Sequence, residues 1–178
     1  MKLDLYIDFD GVILNTIDIT YKHMDAMGIS IKDADFKLDY YRNIDWYKLL
    51  EESKPIENSL DNIKKLMESD LYNVSILSHV ISPREASAKR QYLAEKLPNL
   101  NLITVDITEK KCDVVNCKNA ILVDDYMGNL ELWDAKGGIA IKFSDKGKKY
   151  NFITISNLNM LFDKYEDILE IIEMKNNI

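Results

Sequence analysis

An apolar segment that ends abruptly in acidic residues constrains this chain more than any other feature. Residues 3–7 have the composition of a buried strand, and Asp8-Phe9-Asp10-Gly11 follows directly. A buried charge is strongly disfavoured unless it is paired or binds a ligand. Because ligands bind at the carboxyl ends of strands in parallel α/β sheets, Asp8 and Asp10 are predicted to form a cation or phosphate site.

Composition excludes several classes of protein. The chain has 178 residues, which suits one domain with a sizeable core, and its net charge of −7 provides no basic surface for a nucleic acid polymer. No apolar run approaches the roughly 20 residues that span a bilayer, so no membrane partner is expected. The N-terminus lacks a signal-peptide pattern, and the spacing of Cys112 and Cys117 suggests two reduced thiols. A cytoplasmic location is therefore expected.

Short apolar strands alternate with helical patterns along most of the chain. Strands are predicted at residues 73–77, 100–105, 120–123, 139–143 and 152–155. Helices are predicted at residues 16–27, 59–69, 83–97 and 108–116, in a segment that ends at 136, and from about 157 onward. Ser82-Pro83-Arg84-Glu85 combines an N-cap, a proline at the first helical position and a capping-box glutamate. This alternation predicts an α/β fold, a Rossmann-like parallel sheet flanked by helices on both faces.

The segment from 16 to 55 interrupts this alternation early in the chain. It is charged and rich in aromatic residues, it has no clean strand period, and a helix is predicted near 44–52. We interpret residues 16–55 as a small helical insertion between the core segments 1–15 and 56–178.

Polar residues stand at the ends of strands or the starts of helices in four places. These are Asp8/Asp10, Ser78, Lys110/Lys111 and Asp124/Asp125. In a parallel sheet all of these positions lie along one edge, so they are expected to converge.

The charges at this edge require an opposite charge. Two carboxylates about 4 Å apart repel by about 4 kcal/mol at an effective dielectric of ~20, and Mg²⁺ with oxygen ligands would offset this. Lys110 and Lys111 fall in a predicted first helical turn, where the helix dipole disfavours cations, so an external anion explains one of them better. We favour Lys111 as the inward lysine and Lys110 as the solvated one.

The four places together resemble the motifs of the haloacid-dehalogenase-like (HAD) phosphohydrolases. Residues 8–16 look like the first motif, an apolar strand followed by Asp-x-Asp-Gly and a nearby threonine. Ser78, Lys111 and the pair Asp124-Asp125 match the second, third and fourth motifs in order. The resemblance implies a HAD-like fold in which the cap follows the first strand.

The resemblance also implies a mechanism. Asp8 would be the nucleophile that forms an aspartyl-phosphate, and Asp10 would protonate the leaving oxygen and then activate water. Mg²⁺ would be held by Asp8, the backbone carbonyl of Asp10 and Asp124. Asp125 is either a further ligand or a hydrogen-bond acceptor beside the metal.

Phosphate binding in such a site would use several groups. Ser78, Lys111 and the backbone at Phe9, directly after Asp8, would bind the non-bridging oxygens. His79 follows the motif serine and either lines the phosphate pocket or has a structural role.

The leaving group depends on the cap. Residues 121–130 and the short cap resemble the 5′(3′)-deoxyribonucleotidase-like branch. The aromatic residues of this segment either stack on a base or form the cap's own small core; they are Phe36, Tyr40, Tyr41 and Trp46. Arg42 either meets a second anionic group or is a solvated surface residue.

The sequence therefore favours a Mg²⁺-dependent phosphomonoesterase acting on a small phosphorylated metabolite, with a nucleotide as the specific candidate. One alternative is a catalytically silent or regulatory protein of the same fold that binds a phosphorylated ligand. Another is a sugar-phosphate phosphatase or phosphomutase.

Overall fold

A single parallel sheet organises the computed structural model, which describes residues 2–144, 148 and 150–177. Its strands are β1 (Leu3–Ile7), β2 (Tyr72–Val80), β3 (Asn101–Asp106), β4 (Ile121–Asp124), β5 (Ile139–Phe143) and β6 (Ile153–Ile155). The strand order is β3-β2-β1-β4-β5-β6, and every neighbouring pair is parallel. The predicted Rossmann-like α/β fold class is confirmed.

Helices connect the strands and supply both outer layers. They are α1 (Thr16–Ala26), α2 (Ala34–Asn43), α3 (Trp46–Glu52), α4 (Ser59–Glu68), α5 (Pro83–Lys96), α6 (Lys111–Val114), α7 (Met127–Ala135), α8 (Met160–Asp163) and α9 (Tyr165–Asn176). Among the described residues, no helix is long and apolar enough to cross a membrane.

The sheet buries apolar side chains on both faces. Along β4, Ile121 and Val123 belong to a large core cluster that also contains residues of α3, α4, α5 and α9. Leu122 belongs to a second cluster that includes Leu130 and Trp133 of α7. Successive strand residues point to opposite faces, so an unbroken apolar strand is what a sheet covered on both sides requires.

The strand order reverses between β1 and β4, and this places the acidic residues. Ligands of open α/β sheets bind outside the carboxyl ends of the strands at such a reversal. Asp8 follows β1, Asp124 ends β4, and the N–H of Asp8 donates to the backbone oxygen of Val123 at 2.9 Å. The predicted convergence of these two acids therefore follows from topology.

Several local predictions are wrong. Thr108 does not cap a helix, because its N–H and hydroxyl both donate to Asp106 Oδ1, at 2.9 and 2.6 Å, and form a turn. Helix α6 begins only at Lys111 and ends before Cys117, so the two cysteines do not share a helix. Strand β2 continues to Val80, because β3 pairs with its last three residues as well.

The helical predictions also need correction at both ends of the chain. Helix α2 was not predicted, and none of its side chains is buried, so it has no apolar stripe to reveal it. The single helix predicted from about 157 is two helices, α8 and α9. At α5, Ser82 caps the N–H of Glu85 as predicted, but the Glu85 carboxylate accepts from the N–H of Ile81.

Replacing the N-cap of α5 should destabilise the fold modestly. Ser82→Ala removes the acceptor of the Glu85 N–H, and we expect a loss of about 1 kcal/mol in the free energy of unfolding, measured by urea denaturation. Ser87→Ala, at an exposed position inside the same helix, is the matched control and should cost nothing. Equal effects of the two changes would contradict the capping role.

Candidate active site

A buried lysine joins the ends of the two central strands. Lys111, at the start of α6, is only 2% exposed. Its Nζ lies 2.7 Å from Asp8 Oδ1 and 2.7 Å from Asp124 Oδ2, whereas Lys110 is exposed. Burial lowers the pKa of Lys111, but Asp8 and Asp124 raise it by more, so the lysine stays charged. Lys111 is thus the inward lysine of the pair.

Three carboxylates meet beside this lysine. Asp8, Asp124 and Asp125 each offer an oxygen within 4.8 Å of the others. Burial raises the pKa of Asp8 to about 8 against the opposing effect of Lys111, and burial together with Asp124 raises the pKa of Asp125 to about 6. Burial is the main cause of both shifts, and the neighbouring carboxylates add to them. A set of hard oxygen donors with excess negative charge fits a divalent cation such as Mg²⁺.

The carboxylate of Asp124 is fixed on both of its oxygens. Oδ1 accepts from the N–H of Tyr126 at 2.8 Å, and Oδ2 accepts from Asn129 Nδ2 at 2.9 Å as well as from Lys111. These partners hold the group in one orientation, which lowers the cost of ordering it around a ligand.

Asp10 points to a second buried lysine, which the sequence analysis missed. Lys89 of α5 is 0% exposed, and its Nζ lies 2.5 Å from Asp10 Oδ2, 2.6 Å from Glu85 Oε1 and 3.0 Å from Ser78 Oγ. The hydroxyl of Thr16 donates to Asp10 Oδ1 at 2.7 Å. Both oxygens of Asp10 are therefore held in place. The role of its backbone carbonyl as a metal ligand stays a prediction.

One signal in the sequence could have identified Lys89. Glu85 and Lys89 are four residues apart on the side of α5 that also carries the buried Ala88 and Leu93. Charged residues are rarely fully buried unless they are paired. A charged i,i+4 pair on an apolar helix face is therefore a marker of a buried ion pair.

The predicted phosphate-binding residues lie close to this network. Ser78 is fully buried, and its Oγ accepts from Lys89 and donates to the backbone oxygen of His79 at 3.2 Å. His79 Nε2 lies 3.0 Å from the backbone oxygen of Glu109, and burial, with a further effect of Lys111, lowers the pKa of the imidazole. The ring of Phe9 is in the core, so only its backbone is available for the predicted role.

A cavity of about 190 Å³ opens beside Asp10, between helices α1, α2 and α3 and the end of β2. Tyr41 and His79 line it, whereas Tyr40 and Arg42 are not among the described residues that do. The hydroxyl of Tyr40 instead pairs with His23 Nδ1 at 3.1 Å, and Arg42 is exposed. The structure thus brings one of the three predicted substrate residues to the site.

The cap aromatics form both a small core and a cavity wall. The rings of Tyr41 and Trp46 are stacked at 6.1 Å, and Trp46 Nε1 donates to the backbone oxygen of Tyr41 at 3.1 Å. The hydroxyl of Tyr41 lies 3.2 Å from Thr20 Oγ1 on α1. Both rings also line the cavity beside Asp10, so the predicted alternatives are compatible.

Solved structures of similar fold are HAD-superfamily hydrolases. The magnesium-bound HAD-hydrolase YfnB from Bacillus subtilis is 13% identical, with a TM-score of 0.64 over 93% of this chain and 99% of that one. A HAD hydrolase of family IA, variant 3, from Entamoeba histolytica is 14% identical, with a TM-score of 0.61 over 97% and 100%. D,D-heptose 1,7-bisphosphate phosphatase from Burkholderia thailandensis is 13% identical, with a TM-score of 0.55 over 94% and 99%.

These similarities establish the HAD-like fold that the motifs implied. No protein-family model and no curated protein sequence matches the chain.

Enlarging Gly11 should disturb the carboxylate cluster. Gly11 has a φ of +74°, and a Cβ there would lie 2.6 Å from Asp125 Oδ2. Gly11→Ala should therefore weaken Mg²⁺ binding at least tenfold in isothermal titration calorimetry, because Asp125 must move away from the other carboxylates (about 1.4 kcal/mol per tenfold).

Gly28→Ala provides the matched control for this change. Gly28 has a similar φ of +70°, but a Cβ there meets no atom within 4 Å. Both variants should lose about 1–2 kcal/mol of stability from the left-handed backbone, and only Gly11→Ala should lose cation affinity. Unchanged Mg²⁺ affinity in Gly11→Ala would contradict the proposed contribution of Asp125.

Proposed function

We propose that this protein is a Mg²⁺-dependent phosphomonoesterase that acts through an aspartyl-phosphate. The observation that carries the proposal is the placement of Lys111 between Asp8 and Asp124, at the reversal of strand order, with Asp125 beside them. Phosphoryl transfer depends on positioning and on electrostatic stabilisation more than on any other factor, and this cluster provides both.

Asp8 is the proposed nucleophile. Its carboxylate attacks phosphorus, and the leaving oxygen departs on the opposite side. The group must be ionised to attack, and burial opposes this. Lys111 supplies part of the required positive charge. Mg²⁺, held by Asp8, Asp124 and Asp125, would supply the remainder and would offset the charge of the phosphate.

Asp10 is the proposed acid and base. It lines the cavity in which a leaving group would lie, two residues beyond Asp8. Lys89 and Thr16 each hold one of its oxygens, so the carboxyl group has one preferred orientation. We assign Lys89 as a positioning residue that acts through Asp10.

Ser78 and Lys111 are the proposed phosphate ligands. The Nζ of Lys89 donates to Ser78 Oγ, so the hydroxyl hydrogen of Ser78 must point elsewhere. In this structure it points to the backbone oxygen of His79, through a weak contact of 3.2 Å. A phosphate oxygen is a stronger acceptor and would replace this contact.

The proposed substrate is a small phosphate ester. A nucleotide is a specific candidate because residues 121–130 resemble the deoxyribonucleotidase-like branch, and a sugar phosphate is the alternative. A silent phospholigand-binding protein remains the alternative function. The set of Asp8, Asp10, Lys111 and Asp124 is complete, with Lys111 paired to Asp8 and Asp124 and with Asp10 paired to Lys89, and this favours an enzyme.

Replacing the nucleophile tests the proposal directly. Asp8→Asn keeps the size of the side chain but removes the attacking oxygen, so Mg²⁺-dependent phosphate release should fall to the detection limit. Mass spectrometry of acid-quenched enzyme should find a phosphorylated protein in wild type and none in the variant. Asp4→Asn, an exposed position in β1, is the control and should retain full activity. Equal rates in Asp8→Asn and wild type would contradict an enzymatic role for this site.

Replacing Lys89 should lower the rate of hydrolysis most for esters with poor leaving groups. In Lys89→Met, Asp10 loses a partner at 2.5 Å, and acid catalysis should fall about 10²–10⁴-fold for an alkyl phosphate. For 4-nitrophenyl phosphate, whose leaving group needs no proton, the fall should be less than tenfold. Steady-state kcat values for both esters test this dependence.

The charge left behind by that substitution requires a second variant. Lys89→Met leaves the Glu85 and Asp10 carboxylates without their shared partner, and this could unfold the protein. Lys89→Met combined with Glu85→Gln removes one of the two charges and should show the same dependence on leaving group. An equal loss for both esters in the double variant would show that Lys89 does not act through Asp10.

A further inference from the structure

The cavity beside Asp10 has a defined place in the proposed reaction. Asp10 and Thr16 line one side of it, and Tyr41 and Trp46 of the cap line another. A phosphate held by Ser78 and Lys111 would direct its ester oxygen toward Asp10. The group attached to that oxygen would then enter this cavity, so its walls select the leaving group.

Most of the cavity surface is apolar. The apolar walls consist of Ile17, Trp46, Val80, Ile81 and Ile107. These residues come from α1, α3, the end of β2 and the loop after β3, so the wall is formed jointly by cap and core. Apolar surface of this kind favours an apolar leaving group, because its transfer out of water is favourable in free energy.

The polar side chains of the lining are already bonded within the protein. Thr16 donates to Asp10, and Thr20 donates to the backbone oxygen of Ile17 and pairs with the hydroxyl of Tyr41. The same is true of His79, which pairs with the backbone of Glu109, and of Glu85, which pairs with Lys89 and the N–H of Ile81. A leaving group with several hydroxyls would lose bonds to water and find few donors to replace them.

The charge of the lining is negative. Asp10 and Glu85 both line the cavity, and among the described residues that line it there is no lysine or arginine. Lys89 lies behind the two carboxylates with no exposed surface, and burial favours the neutral form of His79. A second anionic group on the leaving group would therefore meet two carboxylates that share the single charge of Lys89, so net negative charge remains to repel it.

The enclosed volume is small. A cavity of about 190 Å³ compares with ~150 Å³ for an engineered apolar cavity that holds benzene, and with ~300–1,000 Å³ for sites that enclose drug-sized ligands. It encloses about one ring, and any larger part of a substrate extends into solvent.

We propose that this cavity selects phosphate monoesters with an uncharged, apolar leaving group and rejects esters with a second anionic group. The part of the leaving group next to the ester oxygen should be about the size of one ring. This selection rests on the proposed phosphomonoesterase function and defines its substrate class.

Two matched pairs of esters test the selection on the wild-type protein with Mg²⁺. Phenyl phosphate and 4-carboxyphenyl phosphate differ by one negative charge at similar leaving-group acidity. Propyl phosphate and glycerol 3-phosphate differ by two hydroxyls. We expect kcat/KM to be at least tenfold higher for the first member of each pair. For a 5′-nucleotide, we expect the base to raise kcat/KM little.

A positive charge introduced at the rim should reduce the preference for phenyl phosphate over 4-carboxyphenyl phosphate. Ile107 is 52% exposed and belongs to the lining, so Ile107→Arg can place a guanidinium at the mouth of the cavity. This variant should lower the ratio of kcat/KM for phenyl over 4-carboxyphenyl phosphate at least fivefold. Ile107→Met, which is neutral, is the control and should leave the ratio unchanged.

The outcomes separate the two proposals. Equal or higher kcat/KM for the charged ester, or for glycerol 3-phosphate, would overturn the selection while leaving the phosphomonoesterase function intact. An unchanged ratio in Ile107→Arg would also overturn it. No Mg²⁺-dependent hydrolysis of any ester in the panel would overturn the proposed function and the selection with it.

Discussion

Two buried lysines, each shared between two carboxylates, hold the candidate site together. Lys111 joins Asp8 to Asp124, and Lys89 joins Asp10 to Glu85. Losing one partner of such a pair leaves an uncompensated buried charge, at a cost of about 3–5 kcal/mol. Each lysine links residues far apart in the chain, so both ion-pair sets form only once the sheet and α5 are assembled.

The lysines do not balance the negative charge at the edge of the sheet, even when the buried Lys142, whose Nζ donates to the backbone oxygen of Asp125, is counted. Five carboxylates lie there, those of Asp8, Asp10, Glu85, Asp124 and Asp125. The raised pKa values of Asp8 and Asp125 follow first from burial and then from the neighbouring carboxylates. A divalent cation would relieve it and, by binding only the folded state, would stabilise the fold by mass action. The features proposed for catalysis therefore weaken the cation-free protein.

The sequence could predict those site residues whose charge is unfavourable in their local sequence pattern. Asp8 and Asp124 end apolar strands, and Lys111 occupies a position unfavourable to a cation. Lys89 was missed because lysine is ordinary in a helix, and the one signal of its burial was the i,i+4 spacing from Glu85 on an apolar helix face. Helix α2 was missed because its side chains bury no apolar face, so its amino acid pattern resembles that of a loop.

The cavity wall and the acid–base group are mechanically connected. Trp46 of α3 forms part of the wall, and the Nζ of Lys89 lies 5.5 Å from the centre of its indole ring, while Asp45 pairs with Arg84 of α5 at 3.3 Å. The cation that positions Asp10 thus also supports the surface that the leaving group contacts. A leaving group that displaces the indole would disturb the partner of Asp10 as well. In the proposed reaction, poor fit in the cavity would therefore reduce proton transfer as well as binding.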